Sequence, residues 1–197
     1  MISIKRFAAL TSLLLVTSCG GTTVPPPADD GRTQKIYNKQ TGRLEEMLSD
    51  RDGDGKKETH AFMDGVRFVR IEIDENADGK PDRFEFYTPV PAGVTVASSP
   101  DGRVMLERVE EAGDNDGRIT RKEFYVAGVI ARAEEDTDGD KRVDKWEYYS
   151  SNVMIRLELD LQGKGFPDRR FTYSADGELL RTEADPDGDG KFEIIKS

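Results

Sequence analysis

The sequence predicts an all-β fold, an antiparallel meander of repeated β-hairpins, and three observations predict it. Acidic loops recur at a near-constant period, starting at Asp50, Asp74, Ala112, Asp136, Asp160 and Asp185, with steps of 24, 38, 24, 24 and 25 residues. Between them the chain alternates strictly: Val69, Ile71 and Ile73 interleave with Arg70 and Glu72, and Ile155, Leu157 and Leu159 with Arg156 and Glu158. A period of two over this length is that of a half-buried strand, not of a helix. Finally, each loop is followed by an aromatic-rich segment, such as Arg83 to Tyr87 or Lys145 to Tyr149, and then by a tight turn such as Asp64-Gly65 or Asp176-Gly177. Each repeat of about 24 residues is therefore two strands, and the array amounts to about twelve. Ile36-Tyr37 and Gly42-Arg43-Leu44 form an opening hairpin of the same kind. Low mean hydropathy, −0.66, favours one buried face over a thick two-layer core. Whether the sheet stays open or rolls into a partial barrel is not decided by the sequence.

Taken from the start, residues 1–18 read as a secretory signal: Lys5 and Arg6 supply positive charge, Phe7 to Val16 an apolar stretch, and Thr17 and Ser18 small residues before the single cysteine, Cys19. About ten apolar residues are half of what a spanning helix needs. Val16-Thr17-Ser18-Cys19 resembles the lipobox of bacterial lipoproteins. That resemblance implies lipidation of Cys19 and, because Gly20 rather than Asp follows it, anchorage in the outer membrane. Residues 19–32, with Pro25-Pro26-Pro27 and almost nothing apolar, suit an extended tether. The repeat domain is expected over 33–197.

With Cys19 lipidated, no thiol is left for a disulfide or a nucleophile. The formal charge is −10, and removal of Lys5 and Arg6 with the signal leaves about −12. Such a chain repels nucleic acid and disfavours its own compaction unless cations intervene.

The loops point to those cations. An EF-hand loop supplies oxygens from positions 1, 3, 5, 7 and 9, with glycine at 6 making the sharp turn. Asp50, Asp52, Asp54 and Glu58 with Gly55 match it, as do Asp74, Asn76, Asp78 and Asp82 with Gly79, and Asp185, Asp187, Asp189 and Glu193 with Gly190. Asp136, Asp138, Asp140 and Asp144 complete a fourth set, although Lys141 replaces the glycine. All-oxygen donors of this charge suit a hard cation, and a flexible loop favours Ca²⁺ over Mg²⁺. The strings resemble the DxDxDG calcium loops of EF-hands, dockerins, thrombospondin type 3 repeats and FG-GAP blades, the last of which also have strands as flanks. Asp and Gly are good turn formers on their own, but turn formation does not demand four carboxylates two residues apart. The third loop, with Ala112 first, keeps only Asp114 and Asp116. In the fifth, Gln162 and Lys164 replace two carboxylates, and Lys164 is expected to stand in for the ion. Glu85, Glu123 and Glu147 occupy position 12, where a strand turns them away from an ion.

Every repeat carries Arg-x-Glu: Arg70/Glu72, Arg108/Glu110, Arg132/Glu134, Arg156/Glu158 and Arg181/Glu183. This is either a solvated face that blocks sheet-to-sheet aggregation or a binding face for a charged polymer. The recurring aromatics, Phe84, Phe86, Trp146, Tyr148 and Tyr149 among them, are expected on the buried face. The 15-residue extra stretch after Tyr87 reads as a lengthened hairpin. His60, the sole histidine, is expected as a strand residue, and no catalytic constellation accompanies it. The expected function is a non-enzymatic, calcium-binding structural or interaction lipoprotein of the cell envelope, with an envelope protein or polysaccharide as partner. The alternatives are a surface adhesin or carbohydrate-binding lipoprotein and, more remotely, a divergent envelope hydrolase.

Overall fold

Wherever the sequence alternates at period two, the backbone is extended. The computed structural model describes residues 31–94, 102–113 and 117–196. The signal, Cys19 and the tether up to residue 30 lie outside the described residues, as do Asp114 and Asp116. Strands β1 (Thr33–Tyr37), β2 (Leu44–Ser49), β3 (Thr59–Gly65), β4 (Phe68–Ile73), β5 (Arg83–Pro89), β6 (Val104–Glu111) and β7 (Arg121–Val126) are followed by β8 (Val129–Glu135), β9 (Lys145–Ser150), β10 (Val153–Leu159), β11 (Arg169–Tyr173), β12 (Leu179–Ala184) and β13 (Glu193–Lys196). They form one sheet in sequence order, each strand antiparallel to the next. No helix occurs among the described residues. The count is thirteen rather than about twelve, because a short strand follows the last acidic loop. β1 and β13 do not pair, so the sheet is open. β5 and β6 pair as a lengthened hairpin, with Val90 N–H donating to the Arg103 carbonyl at 3.0 Å; residues 95–101 of the extra stretch lie outside the described residues.

Each of the six hairpins closed at the end opposite the acidic loops contains one bulge. Arg70, Arg108, Arg132, Arg156 and Arg181 pair across to Phe62, Phe86, Phe124, Tyr148 and Thr172, and one unpaired residue precedes each: Val69, Glu107, Ala131, Ile155 and Leu180. A bulge adds local right-handed twist, and its repetition lets a sheet of this width coil instead of lying flat.

Directly opposed residues share a face, so the register defines two faces. On one, a row runs Met47, Ala61, Ile71, Glu85, Val109, Glu123, Ala133, Glu147, Leu157, Phe171, Thr182. This is the more buried face, and its deepest members are small: Ala61, Val109 and Ala133 are 6%, 0% and 1% exposed. The long side chains around them do the covering. Arg121 pairs with Glu123, Glu135 and Glu147, Lys145 with Glu135 and Glu147, and Arg83 with Glu85 and Glu111. The hydroxyls of Tyr87, Tyr125 and Tyr149 donate to Glu85, Glu123 and Glu147 at 2.6, 2.6 and 2.9 Å. Aliphatic stems and rings thus seal the small residues beneath a layer of paired charges.

The opposite face departs from expectation. Phe62, Phe86, Phe124 and Tyr148 lie not on the more buried face but in one row with the arginines of Arg-x-Glu. Arg70, Arg108, Arg132 and Arg156 stack over these rings at 3.8–4.3 Å from the centroids. Aromatics and charges share this face because a guanidinium covers a ring while its edge stays hydrated. His60 lies there too, half-exposed, stacked on Phe62 with its Nε2 3.0 Å from Glu46.

Candidate metal centre

All six acidic loops fall at one end of the sheet, joining β2 to β3, β4 to β5, β6 to β7, β8 to β9, β10 to β11 and β12 to β13. They stack side by side. The N–H of the first residue of each loop donates to the carbonyl of the ninth residue of the loop before: Asp74 to Glu58, Ala112 to Asp82, Asp136 to Thr120, Asp160 to Asp144 and Asp185 to Asp168, at 2.7–3.0 Å. Side chains reinforce the stack. The seventh residue leans on the fourth residue of the next loop, as where Lys56, Arg118 and Arg142 donate to the carbonyls of Ala77, Gly139 and Gly163.

The first Asp organises each loop from within. Asp50 accepts N–H bonds from Gly53 and Gly55, Asp136 from Gly139 and Lys141, and Asp185 from Gly188 and Gly190, at 2.5–3.0 Å. To aim both amides at one carboxylate the backbone turns left-handed at positions 4 and 6, with φ of +87° and +94° at Gly53 and Gly55. Lys141 adopts +75°, the strain expected from the missing glycine, and Ala77 +59° at a position 4 that the sequence reading had not singled out. Burial opposes ionisation of Asp50 and Asp136. The donated N–H groups, with Lys57 and Arg32 near Asp50 and Arg118 near Asp136, outweigh it and hold both carboxyls below the usual carboxylate range.

Three loops bring acidic oxygens within 4.8 Å of one another: Asp50, Asp52, Asp54 and Glu58; Asp136, Asp138 and Asp144; and Asp185, Asp187 and Asp189. These clusters could hold a metal ion. Asp50, Glu58 and Asp185 are 6%, 4% and 2% exposed, so the charge lies partly below the surface. As a donor set, three or four carboxylates with nearby carbonyls fit a hard divalent cation.

The remaining expected ligands depart from the pattern. Asp74, Asp78 and Asp82 form no cluster of three carboxylate oxygens within 4.8 Å; Asn76 points its amide NH₂ toward Asp82 Oδ1 at 3.5 Å and accepts from the Asp78 N–H at 2.8 Å. Asp140 stands outside its group; it accepts the Arg142 N–H at 2.8 Å and pairs with Nε at 3.4 Å, contacts of a kind that Asp54 and Asp189 also make with Lys56 and Lys191 while remaining in theirs. Glu193 is exposed on β13, where no further strand of the described residues covers it, whereas its counterpart Glu58 is buried. Lys164 does not replace an ion either. Its ammonium leaves the fifth loop for the Pro186 carbonyl of the sixth, 3.1 Å away. The position-12 residues Glu85, Glu123 and Glu147 belong to the charged layer of the sheet and face away from the loops.

No protein-family profile matches the chain, and no curated protein matches it. Among solved structures, the GtfA/B complex bound to UDP and GlcNAc aligns with a TM-score of 0.34 and 15% identity over 56% of this chain and 25% of that one. Accessory secretory protein 1,2 and 3 of Streptococcus pneumoniae aligns at 0.34 and 13%, over 70% and 21%. This chain thus spans about a quarter or less of those chains, and so distant a likeness carries no argument about function.

Proposed function

We propose that the protein is a calcium-binding structural or interaction lipoprotein of the bacterial cell envelope, anchored in the outer membrane through Cys19. The observation that carries the calcium reading is the convergence of carboxylates in the first, fourth and sixth loops. Clustered like charges repel until an ion sits between them, so ion binding adds to folding free energy. Because the loops contact one another through backbone and side chains, ions bound along one end stiffen the whole array. Asp50, Asp52, Asp54 and Glu58 would hold one ion, Asp136, Asp138 and Asp144 a second, and Asp185, Asp187 and Asp189 a third. The lipobox and the tether sequence support the anchorage.

Sites of this kind bind at roughly 10⁻⁴ to 10⁻³ M, so millimolar calcium contributes about 0.4 to 1.4 kcal/mol per site. Thermal melts in EDTA, in millimolar Mg²⁺ and in millimolar Ca²⁺ test the reading, together with calorimetric ion stoichiometry. Calcium should raise Tm well above the other two conditions. Asp52→Ala and Asp187→Ala should each remove one ion, while Gln162→Ala should leave the stoichiometry unchanged. Equal melting in EDTA and calcium would reduce the loops to turns.

A further inference from the structure

Toward the turn end of the sheet, away from the acidic loops, the arginine face holds a cleft of about 630 Å³. Tyr148, Thr172 and Tyr173 line it together with Arg156, Arg170 and Arg181, and no Asp or Glu is among the lining residues. The counter-charges lie beneath. Glu158 pairs with Nε of Arg170 at 2.7 Å and of Arg156 at 3.6 Å, and Glu183 with Nε of Arg181 at 3.2 Å; their side chains are 6% and 7% exposed. Three cations thus stand over two sunken anions, in a chain whose formal charge is −10. Arg156 is also stacked on Tyr148, 3.8 Å from the ring centroid, and Arg170 on Phe192 at 3.7 Å. The guanidinium groups are therefore held in place from below and from the side. In each pair the nearest nitrogen is Nε, the inner edge of the guanidinium.

We propose that this cleft binds an acidic polysaccharide through its carboxylate groups. A guanidinium fork matches a planar carboxylate with two parallel hydrogen bonds. Tyr148 and Thr172, which share the arginines' row, offer the mixed apolar and polar surface that a hydroxylated ring needs. Arg132, Arg108 and Arg70 continue the row from Arg156 away from the cleft. Successive arginines in the row, on β4, β6, β8 and β10, are two strands apart, which is about 10 Å. A polymer with carboxylates at regular intervals can follow that row, whereas a single acid would use the cleft alone. Nucleic acid, with its denser charge, is repelled by the net negative chain more strongly than a polymer with one carboxylate per sugar ring. The proposal is independent of the calcium reading.

The test is calorimetric titration of the full lipidated chain in detergent with a galacturonate trimer, the neutral galactose trimer and an oligodeoxynucleotide, in EDTA and in calcium. Saturable binding of the galacturonate trimer in both buffers, with none of the neutral trimer, is expected. Arg156→Gln combined with Glu158→Gln, which removes charge of both signs, should weaken binding at least about tenfold. Thr172→Val and Tyr173→Leu touch no ion pair and should also weaken it, with unchanged circular dichroism. The proposal is overturned if the galacturonate trimer fails to saturate at millimolar concentration. It is equally overturned if the neutral trimer or the oligodeoxynucleotide binds as tightly, or if all these variants bind like the parent.

Discussion

Gly188→Ala should destabilise the last repeat far more than Gly190→Ala, although both glycines sit in the same loop with nearly the same backbone. Their φ values are +75° and +82°, so any L side chain at either position costs about 1–2 kcal/mol. Their surroundings differ. A Cβ on Gly188 would lie 2.4 Å from Cε2 and Cζ of Phe166, the seventh residue of the preceding loop, whereas one on Gly190 would meet nothing within 4 Å. Forcing carbon into that contact adds about 1–3 kcal/mol, giving roughly 2–5 kcal/mol for Gly188→Ala against 1–2 for Gly190→Ala. Urea unfolding at one fixed calcium concentration reads both values. Repeating the pair in a Phe166→Ala background closes a double-mutant cycle, in which the excess cost of Gly188→Ala should vanish. Equal costs for the two alanines, or an excess that survives without Phe166, would refute the claim that loops stack through the seventh and fourth positions.

Acid should weaken the charged layer of the sheet in a defined window. Burial works against Glu147, but Lys145, Arg121 and the Tyr149 hydroxyl outweigh it and hold its pKa at about 2, below the ordinary 4.5. Because the folded value is the depressed one, the stabilisation is complete above pH 4.5 and fades as pH falls from there through about 2. It amounts to about 3 kcal/mol, so chemical denaturation of the parent and of Glu147→Gln should differ at pH 7 and converge toward pH 2. Lys141→Gly should relieve the left-handed strain at φ +75° and raise stability by up to about 1 kcal/mol, with loss of stability in the same melt counting against strain. Cys19→Ser should move the protein out of the membrane fraction and abolish fatty-acid labelling; labelling that persists would place the anchor elsewhere.

The meander was legible because every repeat alternates at period two and is punctuated by Asp-Gly turns, both of which are local signals. The distribution of residues between the faces was not. Phe62 and Arg70 are eight residues apart and become neighbours only through the register of β3 and β4, and the bulge at Val69 decides which residues of β4 share the aromatic face. Likewise the carboxylate pattern announced the first and sixth loops, while Asp140 and Glu193 stand outside the clusters of their loops and Asp74, Asp78 and Asp82 form none. Those are differences in side-chain placement, which spacing does not encode. Glycine at position 6 was read from the loop pattern, while position 4 was missed although Gly53, Gly139, Gly163 and Gly188 all occupy it. The signal was in the sequence as a second recurring glycine.

The fifth loop separates what shapes these loops from what would bind an ion in them. It has lost the carboxylates at positions 3 and 5 to Gln162 and Lys164, and still Asp160 accepts the N–H groups of Lys164 and Gly165 at 3.0 and 2.5 Å. Gly163 and Gly165 keep φ values of +64° and +86°. The loop conformation therefore follows from the first Asp and two left-handed positions, with the other carboxylates added onto a backbone that does not need them. Asp160 and Asp168 also keep the stacking bonds to Asp144 and Asp185 on either side. A loop without its ligands thus still transmits the stack to the next one. Since each repeat touches only its neighbours, ion sites in this architecture can be lost one at a time without interrupting the array.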